Sequence, residues 1–371
     1  VMKNVPSVSV DIDGNVTLRN APPQIFVDGR PSSLTLDQIP ADQISTVEIM
    51  TNPSAKYDAS GGGSGILNIV LKKNRKAGYN GNIRAGIDSR ARPGIGGDIN
   101  VKQNKLNVFA AGMFNMRKSI STVSSMRTAF EGANTAHLNQ YNNPVSRGYF
   151  VFGRLGLDYF MDNRNTLTIS GNIARGSFKS KDLIDIYRDT IKPAGTITET
   201  GIRHIMAVND FRNYGTSVNF KHNFAKAGKE WTADANFNYS NNFNTSDYNS
   251  QYYNAFMVPK PAIPAERSSG GGTSRFYTLQ TDFIDPISNT KKLEAGLRMA
   301  VRNYDSNNDN FIDSAGKYVY LPSLNVKYKY DDVVYAGYIT YSQQVKDFSF
   351  QLGLRLERSE YKGDLLTKSQ H

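Results

Sequence analysis

Two stretches near the start of the chain contain residue types that bind ions or phosphate groups. Asp11, Asp13 and Asn15 have the spacing of the first three ligands of an EF-hand calcium loop. The turn glycine and the final glutamate of that loop would fall at Val16 and Pro22, neither of which can fill the role. Because valines alternate on both sides of an Asp-Gly turn, we predict a β-hairpin over this stretch instead of a calcium site.

The second stretch is the glycine run GGGSG at 61–65. A phosphate-binding loop needs a Lys-Ser or Lys-Thr pair after its last glycine, at the start of a helix. Here Leu67, Ile69 and Leu71 follow and alternate as in a strand. The pattern therefore indicates glycines that let another segment approach the main chain closely, and not a nucleotide site.

Metal and catalytic chemistry have little support in the sequence. No two of the four histidines have metal-ligand spacing on one element, and cysteine is absent. No GxSxG motif or Ser/His/Asp arrangement stands out. We therefore predict no catalytic residue, no bound metal, no cofactor and no enzymatic activity.

Ligand binding has better candidates, in an aromatic stretch at 244–271. The candidate ligand contacts are Tyr248, Tyr252, Tyr253 and Arg267. Aromatic side chains at the mouth of a pocket can hold a ligand. The alternative, that these rings form an interfacial girdle or pack within their own loop, stays open.

Composition limits the class of protein. The chain has 371 residues, a formal charge of +11 and a mean hydropathy of −0.48. A positive net charge of this size favours binding to nucleic acid or to an anionic membrane surface. Because no nucleic-acid-binding motif is present, we favour the membrane surface. No run of about 18 apolar residues could form a transmembrane helix. The low hydropathy is still compatible with a membrane barrel, because barrel strands alternate and their inner faces are polar.

From residue 79 onward the chain alternates apolar and polar residues in segments of roughly nine to thirteen residues, the length of a tilted membrane strand. In 149–161, for example, Val151 and Leu155 lie on one face while Arg154 and Asp158 lie on the other. We count about eleven such strands, near half of the roughly 22 strands typical of barrels with a plugged lumen.

The predicted connections are sorted by length. The short links are Gln103-Asn104, Asp162–Arg164, Ala225–Lys229, Pro286–Thr290 and Val345-Lys346. The long links are 117–144, 179–209, 244–271 and 303–331, and a short link at 89–94 falls on their side. Outer-membrane barrels have short periplasmic turns and long extracellular loops. The sorting therefore predicts a mainly β fold, a transmembrane antiparallel barrel. A soluble β-rich adhesin would not account for it.

The first part of the chain has a family resemblance. VDGRP at 27–31 and IPADQISTVEIMTNPSAKYDASGGGSGILNIVLKK at 39–73 resemble the C-terminal half of the plug of TonB-dependent outer-membrane receptors, most closely the Bacteroidota branch. The motif positions are Asp28, Gly29, Pro53, Tyr57, Gly61, Gly62, Gly63 and Gly65. The resemblance implies a small α/β plug at 1–76 inside a barrel whose first half is 77–371.

The same resemblance implies a Gram-negative outer-membrane protein that imports a scarce nutrient: an iron chelate, a cobalamin-like molecule or an oligomeric ligand. It also implies TonB as a partner, although no TonB box is present in this sequence. Other implied partners are outer-membrane lipid, lipopolysaccharide and other outer-membrane proteins, with no nucleic acid. The alternative is a permanently plugged barrel that serves as an accessory subunit of a secretion or assembly complex.

Overall fold

The computed structural model describes residues 8–10, 16–18, 22–27, 30–31, 36, 39, 44–50, 65–71 and 78–366. These residues form one large antiparallel sheet and two small sheets. No helix in the described part is both long enough and apolar enough to span a membrane. The mainly β fold predicted from alternation is confirmed.

A short hairpin opens the described chain. Strand β1 (Val8–Val10) pairs antiparallel with β2 (Val16–Leu18), with Ser9 opposite Thr17. This pairing confirms the predicted hairpin, while its Asp-Gly turn lies outside the described residues. Leu18 is fully buried.

A four-stranded sheet follows, in the order β4-β3-β6-β5. Its strands are β3 (Gln24–Val27), β4 (Arg30–Pro31), β5 (Ile44–Met50) and β6 (Ile66–Leu71). Strand β6 is central, parallel to β3 and antiparallel to β5. The sequence predicts strands at 24–29, 45–50 and 66–73, and all three are confirmed. It also predicts one or two helical turns from Leu36 to Gln43, where the described residues show an amide hydrogen bond from Ile39 to the Leu36 carbonyl at 3.3 Å. A further helical turn predicted at 53–58 lies outside the described residues.

The large sheet contains fourteen strands, eleven of them on one continuous path from β7 to β20. The first seven are β7 (Gly78–Ile87), β8 (Pro93–Gln103), β9 (Leu106–Ile120), β10 (Val123–Glu131), β11 (Asn134–Asn142), β12 (Val145–Phe160) and β13 (Asn165–Lys192). The remaining seven are β14 (Gly195–Asn223), β15 (Glu230–Asn254), β16 (Glu266–Ser288), β17 (Lys291–Ser314), β18 (Lys317–Tyr320), β19 (Val326–Val345) and β20 (Phe348–Leu365). The predicted count of eleven matches the main path.

The tight turns lie at one end of this sheet, as predicted, and their bounds fall within three residues of the predicted ones. They join β8 to β9, β12 to β13, β14 to β15, β16 to β17 and β19 to β20. Asn104 and Lys346 adopt positive φ angles of 49° and 53° in two of these turns. Both residues lie where a two-residue hairpin link requires a left-handed backbone.

The four segments predicted as long loops differ from the prediction, because most of their residues continue the sheet. Strands β13 and β14 pair without interruption from Asn165–His222 to Lys192–Gly195, across the whole of 179–209. In 117–144, β10 and β11 form a hairpin, and β11 pairs with the far half of β13. The segments 244–271 and 303–331 are likewise mostly strand. Sequence reasoning ended each strand where its apolar face ended, yet backbone pairing does not require an apolar face.

Strand length shows how far these hairpins extend. At about 3.3 Å per residue, the 28 residues of β13 span about 90 Å, roughly three times the hydrocarbon thickness of a bilayer. Ile169 and Ile173 are exposed on the outward face near the start of β13, and Arg175 and Lys179 on the same face mark the end of the apolar zone. The other end therefore projects beyond the apolar zone.

Inward-facing glycines make room for aromatic rings on neighbouring strands. A Cβ atom built on Gly296 would lie 2.5 Å from Cε1 of Tyr338 and 2.6 Å from Oδ1 of Asp282. One built on Gly176 would lie 2.5 Å from Cε1 of Phe211. Each glycine therefore lets a ring lie flat across the adjacent strand.

Gly296→Ala should lower the stability of the barrel, because its methyl group would displace the Tyr338 ring from a close-packed position. We expect a loss of about 1 to 3 kcal/mol, the usual cost of overpacking. The measurement is the temperature at which the heat-modifiable band of the folded protein disappears in gel electrophoresis. Gly86→Ala is the matched control, since a Cβ there has no neighbour within 4 Å. Equal losses in the two variants would contradict the packing argument.

Candidate functional site

The four-stranded sheet packs against one face of the large sheet. Leu67 and Ile69 of β6 form a buried cluster with Phe150 and Phe152 of β12, and all four are at most 5% exposed. Ala174 of β13 completes the cluster from the large sheet. The face that carries these residues is therefore the inner face of the large sheet, and the small sheet lies against it.

Further aromatic rings extend this contact across neighbouring strands. Phe211 of β14 lies 6.2 Å from Phe150 and 6.4 Å from Phe178, centroid to centroid. The Arg117 guanidinium lies 5.9 Å from the Phe150 ring centre. We call Phe150, Phe152, Phe178 and Phe211 the phenylalanine shelf. It presents an apolar surface on the inner wall, where a barrel would otherwise be polar.

Sequence reasoning missed the phenylalanine shelf. It assigned Val151 and Leu155 to the apolar face of β12 and Arg154 to the polar face, and so gave the phenylalanines no role. The signal was the run YFVF at 149–152, which breaks the alternation. A strand that is apolar on both faces is buried on both faces, so this run indicated a second covered surface.

Farther along the inner wall, the surface is polar. The inward-facing residues of β15 are Asn236, Asn238, Ser240, Asn242, Asn244 and Ser246. Asn236 Nδ2 donates to Thr278 Oγ1 at 3.1 Å, and Ser240 Oγ donates to Asn213 Oδ1 at 2.6 Å. We call this run the asparagine wall. Its amides and hydroxyls can donate to and accept from a hydrophilic molecule.

A buried carboxylate lies near the tight-turn end of the same wall. Asp282 is 3% exposed and accepts a hydrogen bond of 2.5 Å from the Tyr338 hydroxyl. Gln280 Nε2 donates to both oxygens of this carboxylate, at 3.1 and 2.9 Å. The bond from Tyr338 joins β19 to β16 across β17, while Gln280 holds the carboxylate from its own strand.

Alternation places charged side chains on the inner face of the large sheet, where we predict that they hold the plug. In the described residues they contact neighbours on their own sheet: Arg84 pairs with Asp98 at 3.9 Å, Arg154 lies 4.9 Å from the Phe109 ring centre, and Asp158 accepts from Asn107 at 3.0 Å. The contact between the two sheets that the described residues show is apolar. A role for the charges in holding the plug stays a prediction.

The four predicted ligand contacts do not come together. Alternation along β15 places Tyr248 and Tyr252 on the inner face and Tyr253 on the outer face. Tyr252 accepts from Arg203 at 3.5 Å, while Arg267 binds Asp247 through two bonds of 2.5 and 3.1 Å. This pairing raises the pKa of Arg267 above its ordinary value. The Arg267 guanidinium also lies 4.2 Å from the Tyr318 ring, on the outer face.

Most of the predicted plug motif falls outside the described residues: Asp28, Gly29, Pro53, Tyr57, Gly61, Gly62 and Gly63. Gly65 is described, buried, with a φ of 105°, and its carbonyl accepts the Gln24 amide at 3.1 Å. A left-handed residue directly before a central strand explains why glycine stands there.

Among the described residues, no group of three or more histidine or acidic side chains could hold a metal ion. His137 Nδ1 lies 3.0 Å from Thr128 Oγ1, and His222 Nδ1 lies 2.7 Å from Asn165 Oδ1. Both rings thus have hydrogen-bond partners on the adjacent strand.

One family model and several solved structures are similar to this chain. Residues 222–371 match the outer membrane protein beta-barrel family. Similar solved structures include the ferric yersiniabactin uptake receptor FyuA from Yersinia pestis, at 12% identity over 96% of this chain and 68% of that chain, with a TM-score of 0.37. The closed form of the ferric-catecholate import receptor Fiu from E. coli K12 aligns at 11% identity over 94% and 67%, with a TM-score of 0.37.

A third similar structure is the alcaligin outer-membrane receptor FauA from Bordetella pertussis, at 10% identity over 98% of this chain and 91% of that chain, with a TM-score of 0.30. At such identities and TM-scores, these alignments carry no argument about what this chain binds. The family match over 222–371 and the exposed apolar outward face together place the large sheet in the outer membrane of a Gram-negative bacterium.

Proposed function

We propose that this protein is a plugged outer-membrane transporter that imports a hydrophilic ligand too large for porins, such as an iron chelate, a cobalamin-like molecule or an oligomer. The observation that carries the proposal is the burial of Leu67 and Ile69 against Phe150 and Phe152. A small sheet fixed to the inner wall of a barrel obstructs the path through it. Such an obstruction is useful in a transporter if it can be displaced.

The long hairpins are proposed to face outward and the tight turns to face the periplasm, as in other outer-membrane barrels. Under this orientation the ligand meets the inner faces of the hairpins first. Tyr248 and Tyr252 lie there, and the asparagine wall continues below them. Two of the four predicted ligand contacts therefore keep that role, while Tyr253 and Arg267 face away from the path.

Displacement of the plug needs an energy source. Burying a phenylalanine side chain contributes about 1.5 to 3 kcal/mol, so uncovering Phe150 and Phe152 together costs several kcal/mol. Thermal motion would rarely open such a contact. We assign the energy to TonB, pulling on the plug from the periplasm.

The same contact favours a second candidate function. Separating an apolar contact between the small sheet and the wall costs more free energy than separating a charged one. Such a contact therefore also fits a plug that never moves. The barrel would then be an accessory subunit of an outer-membrane secretion or assembly complex, bound to other outer-membrane proteins. The two candidates differ in one measurable property, the movement of β6.

Thiol labelling of Leu67→Cys should separate the two functions. The chain has no cysteine, so this variant carries a single reporter at a position that is 0% exposed. For a transporter, we expect a small membrane-impermeant maleimide to label it several-fold faster in energised cells given the ligand mixture of the native growth medium. An uncoupler should abolish the increase, because it removes the proton gradient that drives TonB.

Thr340→Cys is the control for general loosening of the barrel, since Thr340 is 1% exposed on another part of the inner wall. Its labelling should not respond to energy. Labelling of Leu67→Cys that stays slow in every condition, together with stable co-purification of other outer-membrane proteins, would support the accessory subunit and overturn the transporter.

Phe152→Ala should loosen the plug without energy input. Truncating a buried phenylalanine costs about 3 to 5 kcal/mol in packing. We expect cells that express this variant to become sensitive to a glycopeptide antibiotic too large for porins, measured as the minimum inhibitory concentration. Leu155→Ala is the control, because Leu155 lies on the same strand β12 but is 62% exposed on the outward face. Equal sensitivity of the two variants would show that Phe152 does not seat the plug.

A further inference from the structure

Five cations lie together on the outward face of β9, β12, β13 and β14. Arg147 lies directly opposite Lys118 on one side and Lys179 on the other. Arg175 lies directly opposite Arg212. We call these five residues the cationic patch.

Like charges placed directly opposite each other in a sheet repel and destabilise it. Arg147, Arg175, Lys179 and Arg212 are exposed and Lys118 is half-buried, and within the described residues none of the five side chains makes an ion pair or hydrogen bond. Asp210 is the carboxylate on the outward face at the level of the patch. It lies opposite Ser177 and forms no ion pair with any of the five cations. The patch therefore has unbalanced positive charge.

The other half of the sheet provides an internal comparison. On the outward face of β16, β17, β19 and β20, Arg275 and Lys329 both approach Asp305, at 3.7 and 3.9 Å. Arg358 pairs with Glu360 at 2.6 Å. Cations at a similar height are thus balanced by carboxylates on one side of the sheet and unbalanced on the other. The imbalance is local and does not reflect the overall charge alone.

The cationic patch lies where the apolar outward face ends. On β9, apolar residues run from Leu106 to Met116, and Lys118 is the next outward residue. These eleven residues, tilted by about 40°, cover about 25 Å of membrane thickness, the height of the apolar band of a barrel. Phe114 and Met116 are 37% and 41% exposed directly beside the patch. An amphiphile seated here would place its acyl chains on apolar residues and its headgroup on the cations.

We propose that the cationic patch binds the phosphate groups of a phosphorylated glycolipid of the outer leaflet. Phosphate supplies the negative charge that the five side chains lack, and the arginine fork binds phosphate through paired hydrogen bonds. The acyl chains of the glycolipid lie along Phe114 and Met116. This inference rests on the proposed orientation of the long hairpins but not on movement of the plug.

The test uses the full-length protein, extracted from the outer membrane in a mild detergent. The cluster variant combines Arg147→Gln, Arg175→Gln and Lys179→Gln. The matched control combines Arg275→Gln, Lys329→Gln and Arg358→Gln, which removes the same charge. The 3-hydroxy fatty acids that remain bound are quantified per protein by gas chromatography and mass spectrometry. We expect at least a tenfold loss for the cluster variant and no loss for the control.

Adding lipids back to the delipidated protein shows whether the phosphate groups of the glycolipid are needed for binding. The delipidated wild type should rebind intact glycolipid, whereas dephosphorylated glycolipid and inorganic phosphate should not compete with it. Molar salt should release bound glycolipid, because exposed charges are screened. Equal retention by the three proteins would overturn the proposal, as would rebinding of the dephosphorylated lipid. Loss of a co-purified acidic protein from the cluster variant, with glycolipid unchanged, would assign the patch to that protein instead.

Two further readouts keep the result interpretable. In lipid-free detergent the cluster variant should unfold at the same temperature as the wild type or higher, since repulsion is relieved; a lower temperature would give the patch a structural role. Ala194→Cys, at the tip of the hairpin formed by β13 and β14, should be labelled from outside the cell. Failure of that labelling overturns the orientation and this inference together, while unchanged plug labelling overturns only the transport proposal.

Discussion

The structure depends on one constraint, that every backbone amide and carbonyl within a membrane must be paired inside the protein. The large sheet meets it by continuous antiparallel pairing from β7 to β20. In β13 and β14 the pairing runs without a shift through both strands. An uninterrupted register keeps the alternation of side chains strict, so the position of a residue along its strand decides which solvent it meets.

Two faces with different chemistry follow from that alternation. The outward face is apolar over the height of the bilayer and charged above it. The inner face is mixed, because it must hold the small sheet as well as water. Glycines such as Gly176 let aromatic rings lie across neighbouring strands, and one of those rings, Phe211, belongs to the phenylalanine shelf. Residues that pack the wall tightly thus also help to hold the small sheet.

Most of the large sheet could be predicted from sequence because its signals are local. A period of two and a tight turn are both visible within a dozen residues. The far ends of the hairpins could not be predicted by the same rule, since outside the membrane no apolar face marks the strand. Because 244–271 was predicted to be a loop, no face could be assigned to Tyr252 and Tyr253. In a strand these two neighbouring residues point to opposite sides of the sheet.

What the sequence rule could not supply was contact between distant segments. The parallel pairing of β3 with β6 joins residues about forty positions apart, and no local pattern specifies it. The run at 149–152 did carry a local signal, an apolar inner face, but a partner for that face could be identified only in three dimensions. A sequence pattern of this kind predicts that a surface is covered. Only the packed structure identifies the segment that covers it, here strand β6.

The distribution of chemistry on the inner wall bears on how a plug could open. At the phenylalanine shelf the wall is apolar, and separating the small sheet from it exposes Phe150 and Phe152 to water at a cost of several kcal/mol. On β15 and β16 the wall presents amides and hydroxyls, which water solvates at little cost. Separation at the phenylalanine shelf is therefore the costly step, and it is the step for which the proposed function needs TonB. Under the proposed function, the hydrophilic ligand then passes along the asparagine wall, whose amides and hydroxyls replace part of its hydration.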